Sequence, residues 1–157
     1  MTVVGLAPIE AAHHERLFEI FAGIVERGEG YPNLPPLSQH EFEASWVHVT
    51  KAVGAFVGDR LVGAYYLKPN FPGRGAHIAN AGYIVDVEFR QRGIGRPLVE
   101  DSIEQAPRLG FDAIQFNFVF ASNPARSLYE RLGWVAIGRI PDAITGDDAV
   151  IYWLSVP

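Results

Sequence analysis

The chain has 157 residues, of which 48% are hydrophobic and 12% aromatic, enough for one sizeable core and too few for two. We therefore expect one domain over residues 1–157. The formal net charge of -5 argues against nucleic acid or an anionic membrane as a partner, and the lack of cysteine excludes disulfides, thiolate metal sites and a cysteine nucleophile.

The amino-terminal residues have neither a basic start nor a long apolar run, so we expect no secretory signal. No apolar stretch approaches the roughly 20 residues that a membrane span needs. With no signal to the contrary, a cytoplasmic enzyme without membrane partners is the default expectation.

Two helices are predicted in the first third of the chain. After a short opening strand, apolar residues recur at helical spacing until Gly28, which ends the first helix. Residues 29–36 are rich in proline and glycine and are predicted to form a loop. Ser38 followed by Glu41 has the spacing of a capping box, which predicts the start of a second helix.

The rest of the chain alternates strands with loops and helices. Residues 53–67 have the pattern of a β-hairpin about a Gly-Asp turn. The further predicted elements, in order, are a loop over 68–75, a strand over 77–87, a helix ending at Gly110, a strand over 113–120, a helix between Pro124 and Gly133, and closing strands over 134–140 and 150–154. This order predicts an α/β fold in which helices cover a mixed sheet.

Two glycines, Gly93 and Gly95, stand where the central strand gives way to a helix. Such a turn leaves backbone N–H groups unpaired, and the helix N-terminus adds a partial positive charge, so an anion can bind there. Arg90, Arg92 and Arg96 add full charges beside it. A tight turn with solvated arginines is an equally good explanation of the glycines alone.

Two common phosphate-binding loops are excluded. A P-loop needs a Gly-Lys pair, which the chain lacks, and the dinucleotide fingerprint needs a third glycine where Leu98 stands. The order Arg-x-x-Gly-x-Gly instead resembles the Arg/Gln-x-x-Gly-x-Gly/Ala loop of the GCN5-related N-acetyltransferase (GNAT) superfamily. The resemblance implies that this loop holds the pyrophosphate of coenzyme A through Arg90, Gln91, Arg92, Gly93, Ile94, Gly95 and Arg96.

A second segment strengthens this resemblance. Residues 122–134, Ser-Asn-Pro-Ala-Arg-Ser-Leu-Tyr-Glu-Arg-Leu-Gly-Trp, are similar to the superfamily's Asn-x-x-Ala-x-x-Leu-Tyr signature and the Gly-Phe that follows it. Alignment on Ala125 and Tyr129 places Ser122 at the position of the family's Asn. The next residue, Asn123, is therefore expected to make the contact with the coenzyme that the resemblance implies. The resemblance extends from residue 52 to the end of the chain.

The resemblance implies the fold of acyl-CoA N-acyltransferases, a mostly antiparallel sheet whose two central strands splay apart to admit the pantetheine arm of acetyl-CoA. The exposed backbone of Ile84, Val85 and Val87 would pair with that arm. Tyr129 would contact the coenzyme and protonate the departing thiolate as the catalytic acid. Because Tyr129 shares a helical face with two leucines, a purely structural role in the core is the alternative.

The group that accepts the proton of the amine is left open. Glu41, His77 and Asp86 are candidates, and an ordered chain of water molecules would serve equally well. The remaining histidines have no metal-ligand spacing supported by carboxylates, so no metal is expected.

Asn80 and Asn117 each place an amide in the middle of an otherwise apolar strand, where asparagine is disfavoured. These are the two strands expected to splay, so the amides are predicted to orient the acceptor, the amine that receives the acetyl group. Hydrogen bonds to neighbouring backbone at the splay are the alternative. Uncharged amides suit a small amino-acid-like amine better than a polyamine.

Parts of these strands also resemble a branch of the superfamily that includes fungal acetyltransferases of proline analogues such as azetidine-2-carboxylate. The predicted function is therefore transfer of acetyl from acetyl-CoA to the amine of a small molecule. A protein or peptide N-acetyltransferase and a non-catalytic acetyl-CoA sensor are the competing functions, and a homodimer is left open.

Overall fold

A computed structural model describes residues 2–157. Seven strands form one sheet in the order β1-β2-β3-β4-β5-β7-β6. The strands are β1 Gly5–Pro8, β2 Lys51–Val57, β3 Arg60–Pro69, β4 Ile78–Val85, β5 Ala113–Phe120, β6 Val135–Ile144 and β7 Asp147–Ser155. The helices are α1 His14–Arg27, α2 Gln39–Phe42, α3 Gly95–Arg108 and α4 Arg126–Arg131.

All neighbouring strands are antiparallel except β4 and β5, which are parallel. A mixed, mostly antiparallel sheet with flanking helices is the predicted fold class, and it is confirmed. Among residues 2–157, no helix is both long and apolar enough to cross a membrane.

The helix ends follow from local sequence. Helix α1 buries one apolar face and ends at Gly28, whose φ of 67° is the left-handed conformation that glycine adopts without strain. Helix α2 begins at the predicted capping box, in which the Ser38 hydroxyl accepts from the Glu41 N–H and the Glu41 carboxylate accepts from the Ser38 N–H. A π-helical turn, Glu43–Val47, continues α2 and buries Trp46.

Two apolar cores lie on opposite faces of the sheet. Helices α1 and α2 cover one face, where Phe21, Trp46 and Tyr66 are buried. Leu98 of α3 and Tyr129 of α4 are buried on the other face. The central strands are therefore buried on both faces.

The strands β4 and β5 pair only at their beginnings, through Ile78/Ala113, Ala79/Ile114 and Asn80/Gln115. The pairing of β5 with β7 is also interrupted, between Phe116 and Val119. The two central strands therefore diverge beyond Asn80, which confirms the predicted splay.

Several predicted boundaries are wrong, among them the turn of the closing hairpin, where β6 continues to Ile144 and β7 begins at Asp147. Strand β4 ends at Val85. Val87 lies in a 3-10 turn, Val87–Phe89, and is 47% exposed. The cause is Asp86, whose carboxylate accepts from the Glu88 N–H and so starts the turn. The loop predicted over 68–75 also begins later, because β3 continues to Pro69.

Candidate functional site

A cleft of about 670 Å³ opens where β4 and β5 diverge. Its walls are the second halves of these strands, the segment that follows α1, and the residues that lead into α4. Seven of the predicted site residues border it: Asn80, Ile84, Val85, Arg90, Asn117, Asn123 and Tyr129.

Only alternate residues of β4 present their backbone to the gap. The Asp86 N–H donates to the Val62 carbonyl at 2.8 Å, so the even-numbered residues of β4 direct both backbone groups toward β3. Tyr83 and Val85 direct theirs toward β5. Ile84 borders the cleft, but its backbone N–H and carbonyl pair with β3, and the residue is only 2% exposed. This geometry corrects the prediction that the Ile84 backbone pairs with the pantetheine arm.

A tyrosine from the loop after α1 occupies one of these backbone groups. The Tyr31 hydroxyl donates to the Tyr83 carbonyl at 3.1 Å. Gly82 makes room for it, because a Cβ there would come within 2.8 Å of that hydroxyl and 2.4 Å of the Tyr66 ring. The N–H of Tyr83 is left facing the cleft.

Tyr129 packs in the core and also borders the cleft. Its residue is 8% exposed, and its ring centroid lies 4.7 Å from that of Phe116. Burial, with a smaller effect of Tyr152, raises the pKa of the phenol. The hydroxyl has no hydrogen-bond partner in the described part of the chain and is not sealed from solvent. The Tyr129 ring thus belongs to the core, while the residue borders the cleft and carries a protonated hydroxyl that can donate a hydrogen bond.

The turn between β4 and α3 presents open backbone. Gly93 has a φ of 77°, which explains the need for glycine there. A Cβ built on Gly93 or Gly95 meets nothing within 4 Å. No side chain caps the start of α3, so its first N–H groups remain available to an anion.

The three arginines at this turn are less available than the sequence suggests. Arg90 forms an ion pair with Glu29, and Arg96 Nε lies 2.6 Å from the Glu100 carboxylate. The Arg92 guanidinium lies 4.9 Å from the centroid of the Phe89 ring. The backbone N–H groups are therefore the more distinctive anion-binding feature of this turn.

Ser122 and Asn123 both border the cleft, but their side chains serve different purposes. The Ser122 hydroxyl donates to Asp147 at 2.5 Å. The Asn123 side-chain oxygen, Oδ1, accepts from the Ala125 N–H at 2.9 Å. Its Nδ2 faces Gly30, 4.0 Å from where a Cβ on that glycine would lie. Asn123 is thus the better placed of the two to offer a donor to a ligand.

Asn80 and Asn117, the two residues predicted to orient the acetyl acceptor, have different surroundings. Asn80 Nδ2 donates to the Gln115 carbonyl at 3.1 Å, and Asn80 Oδ1 accepts from the Tyr66 hydroxyl at 3.1 Å. Asn117 is exposed and donates to Asn70 Oδ1 at 2.6 Å. The amide of Asn80 therefore ties β4 to β5 where they part, as the structural alternative predicts, and Asn117 carries an exposed amide.

None of the three candidate bases borders the cleft. Glu41 serves the capping box, His77 is exposed before β4, and Asp86 is paired with Arg16. Within residues 2–157 the one carboxylate at the cleft is that of Glu29. The hydrogen bond from Arg90 is the main cause that lowers its pKa.

No specific role was predicted for Tyr66, Tyr83 or Glu29, although all three border the cleft. An aromatic residue in a strand has the same pattern whether it faces a core or a cleft, so no signal distinguishes them. In the described residues, no group of three or more His, Asp or Glu side chains could hold a metal ion.

The sequence model of the acetyltransferase (GNAT) family matches residues 14–134. A GCN5-related N-acetyltransferase from Kribbella flavida superposes with a TM-score of 0.89 at 31% identity, covering 98% of each chain. The yncA protein of Salmonella typhimurium, solved with its cofactor acetyl-CoA, superposes with a TM-score of 0.86 at 16% identity, over 99% of this chain and 95% of that one. At this lower identity the likeness shows the fold alone.

Two yeast proteins match part of the chain. N-acetyltransferase aca1 of Schizosaccharomyces pombe is 48% identical over 84 residues, which are 53% of this chain and 40% of aca1. Protein SPT10 of Saccharomyces cerevisiae is 36% identical over 85 residues, 54% of this chain and 13% of SPT10. Each match thus spans less than half of the relative's length.

Proposed function

The chain belongs to the acetyltransferase (GNAT) family, and on that premise we propose that it is an acetyl-CoA-dependent N-acetyltransferase acting on the amine of a small, amino-acid-like molecule. One observation carries the proposal. The gap between β4 and β5 brings together the uncommitted N–H of Tyr83, the outward backbone of Val85 and the unpartnered phenol of Tyr129.

The residues around the gap fit acetyl-CoA. The open turn at Gly93 and Gly95 offers N–H groups to a pyrophosphate. Val85 offers an N–H and a carbonyl to the amides of the pantetheine arm, as a strand does to its neighbour. Asn123 offers its Nδ2 from the other wall. Acetyl-CoA supplies the acetyl group as an activated thioester.

The chain's own groups account for most of the chemistry. Transfer forms a C–N bond and breaks the C–S bond, so negative charge develops first on the carbonyl oxygen and then on sulfur. The Tyr83 N–H stabilises the oxygen, and Tyr129 gives its phenolic proton to the thiolate. The proton lost by nitrogen leaves through water, and Tyr129 regains one from solvent.

Glu29 is poorly suited to accept the proton of the amine. Arg90 and Arg27 both bind its carboxylate, and they hold its pKa below the ordinary value. A carboxylate stabilised in this way is a weak base. We therefore assign the base to water, and the attacking amine enters in its neutral form.

The acceptor side of the cleft lies on the face covered by α1 and α2. Asn80, Tyr66 and Asn117 line the cleft on this side, and Asn117 is exposed. These uncharged groups support an acceptor with a polar group near its amine, which an amino acid has. We propose that Asn117 contacts this group directly and that Asn80 contacts it while holding the two strands.

A screen of small amines tests the proposal. Purified protein is mixed with acetyl-CoA and each amine, free thiol is followed, and the N-acetyl product is identified by mass. Thiol release with amino-acid-like amines is expected, together with acetyl-CoA binding by calorimetry. Acetylation of peptides alone would redirect the proposal to a peptide acetyltransferase. Binding without turnover on any amine would leave a sensor.

A further inference from the structure

Lys68 carries a charge that the protein leaves without an anionic partner. Its ammonium lies 4.9 Å from the centroid of the Tyr66 ring. The residue is half-buried, and burial lowers the pKa of its ammonium. It takes part in no ion pair or hydrogen bond with any described residue. Since partly buried charges are normally paired, such an ammonium is suited to bind an anion.

Lys68 is not among the residues that line the cleft, but it lies next to two that do, Asn80 and Tyr66. Lys68 lies opposite Asn80 in the β3/β4 pairing, so the two side chains share a face of the sheet. Tyr66, two residues earlier on the same face, borders the cleft and donates to Asn80. Asn70, two residues later, exchanges hydrogen bonds with Asn117. A cation thus stands within a row of polar groups.

Among residues 2–157, no carboxylate forms an ion pair with this ammonium. Glu29 is the acidic residue at the cleft, and its carboxylate is already paired with Arg27 and Arg90. The neighbours of Lys68 on this face are amides and a phenol, which are neutral. A ligand carboxylate would therefore find one full positive charge here and several donors beside it.

We propose that Lys68 binds the carboxylate of the acceptor and so selects amino acids over amines that lack an acidic group. This inference rests on the proposed function and narrows its acceptor to amine-bearing carboxylic acids. In an amino acid the amine lies only two bonds from the carboxylate carbon. Holding the carboxylate beside Asn80 therefore keeps the amine near the point where β4 and β5 part.

The test compares each acid with its own carboxamide, which keeps the amine and the shape but loses the charge. The probes are the common L-amino acids and azetidine-2-carboxylate, each paired with its carboxamide. Lys68→Met keeps an unbranched apolar stem and removes the ammonium, whereas Lys68→Arg keeps a positive charge. The matched control is Lys51→Met, which alters the chain's other lysine, on β2, where it bonds Gln105.

The wild type is expected to prefer acids, and Lys68→Met to lower kcat/KM for acids about 10- to 100-fold more than for carboxamides, in line with the loss of a charged hydrogen bond. Lys68→Arg is expected to keep most of the preference, and Lys51→Met all of it. The acetyl-CoA Kd and the Tm check that Lys68→Met is intact.

Equal use of acids and carboxamides by the wild type would overturn the inference, as would an equal loss on both in Lys68→Met. Acetylation confined to amines without a carboxylate would overturn it while leaving the proposed function in place. Failure to acetylate any amine would instead contradict the proposed function, so the two failures are distinguishable.

Discussion

Replacing Tyr129 with phenylalanine tests the proposed role of its hydroxyl as the acid separately from the packing of its ring in the core. The phenol oxygen forms no hydrogen bond with residues 2–157, whereas the ring packs against Phe116 and Trp134. Tyr129→Phe keeps the ring and removes only the oxygen. We therefore expect the free energy of unfolding to change by less than about 0.5 kcal/mol.

The effect on transfer is expected to be much larger. Without the phenol the thiolate must leave unprotonated or take its proton from water, and a positioned acid contributes about 100- to 10,000-fold in such steps. Rapid-quench single-turnover measurements of N-acetyl product report the chemical step without product release. Acetyl-CoA affinity, measured by calorimetry, is expected to change little.

The dependence on pH gives a second readout of the same residue. Burial raises the pKa of Tyr129 above its ordinary value of 10.0, so the phenol stays protonated from neutrality to pH 10. The single-turnover rate should rise with pH as the acceptor amine loses its proton, with no decline through pH 10 caused by Tyr129. Tyr129→Phe should show the same rise at a lower rate.

Tyr65→Phe is the matched control. The Tyr65 hydroxyl donates to Asp101 at 2.6 Å on the α3 side of the sheet, and Tyr65 does not border the cleft. This variant should lose about 1 kcal/mol of stability and keep its transfer rate. A Tyr129→Phe variant with wild-type single-turnover rates would refute the acid role and leave Tyr129 in the core.

Four further substitutions test the rest of the site. Gly95→Val places a side chain over the open turn without a left-handed φ, so it should raise the calorimetric Kd for acetyl-CoA at least 10-fold with little change in Tm; unchanged affinity would remove this turn from the site. Asn80→Ala removes hydrogen bonds between the diverging strands, so it should lower the free energy of unfolding in urea by about 1–3 kcal/mol and weaken the use of both coenzyme and acceptor. Asn117→Ala should raise only the KM for the acceptor. The reverse pattern would exchange the roles of the two residues. Tyr31→Phe frees the Tyr83 carbonyl and should cost about 0.5–1.5 kcal/mol in the same assay, and no loss would show that this hydrogen bond is unimportant.

The order of elements could be predicted because each depends on local pattern. The capping box at Ser38 and the left-handed end of α1 at Gly28 are set by residues a few positions apart. The turn at Gly93 likewise needs glycine for its own backbone. Such signals place the strands and helices, and with them the gap.

The direction of the backbone within the sheet could not be predicted. A period of two tells which side chains share a face, but the in-plane direction of each N–H depends on the register with β3. For this reason the sequence predicted contacts from the backbone of Ile84, Val85 and Val87, whereas the register directs the backbone of Tyr83 and Val85 toward the gap. Partners distant in the sequence, such as Glu29 for Arg90, also leave no local signal.

Amide hydrogen exchange of β4, followed by NMR with and without acetyl-CoA, tests the central claim most directly. The Ile84 N–H is paired with β3 and should exchange slowly in both states. The N–H groups of Tyr83 and Val85 face the gap and should become protected only when acetyl-CoA is bound. Saturating acetyl-CoA that leaves the exchange of Tyr83 and Val85 unchanged would contradict the claim that the gap between β4 and β5 holds it.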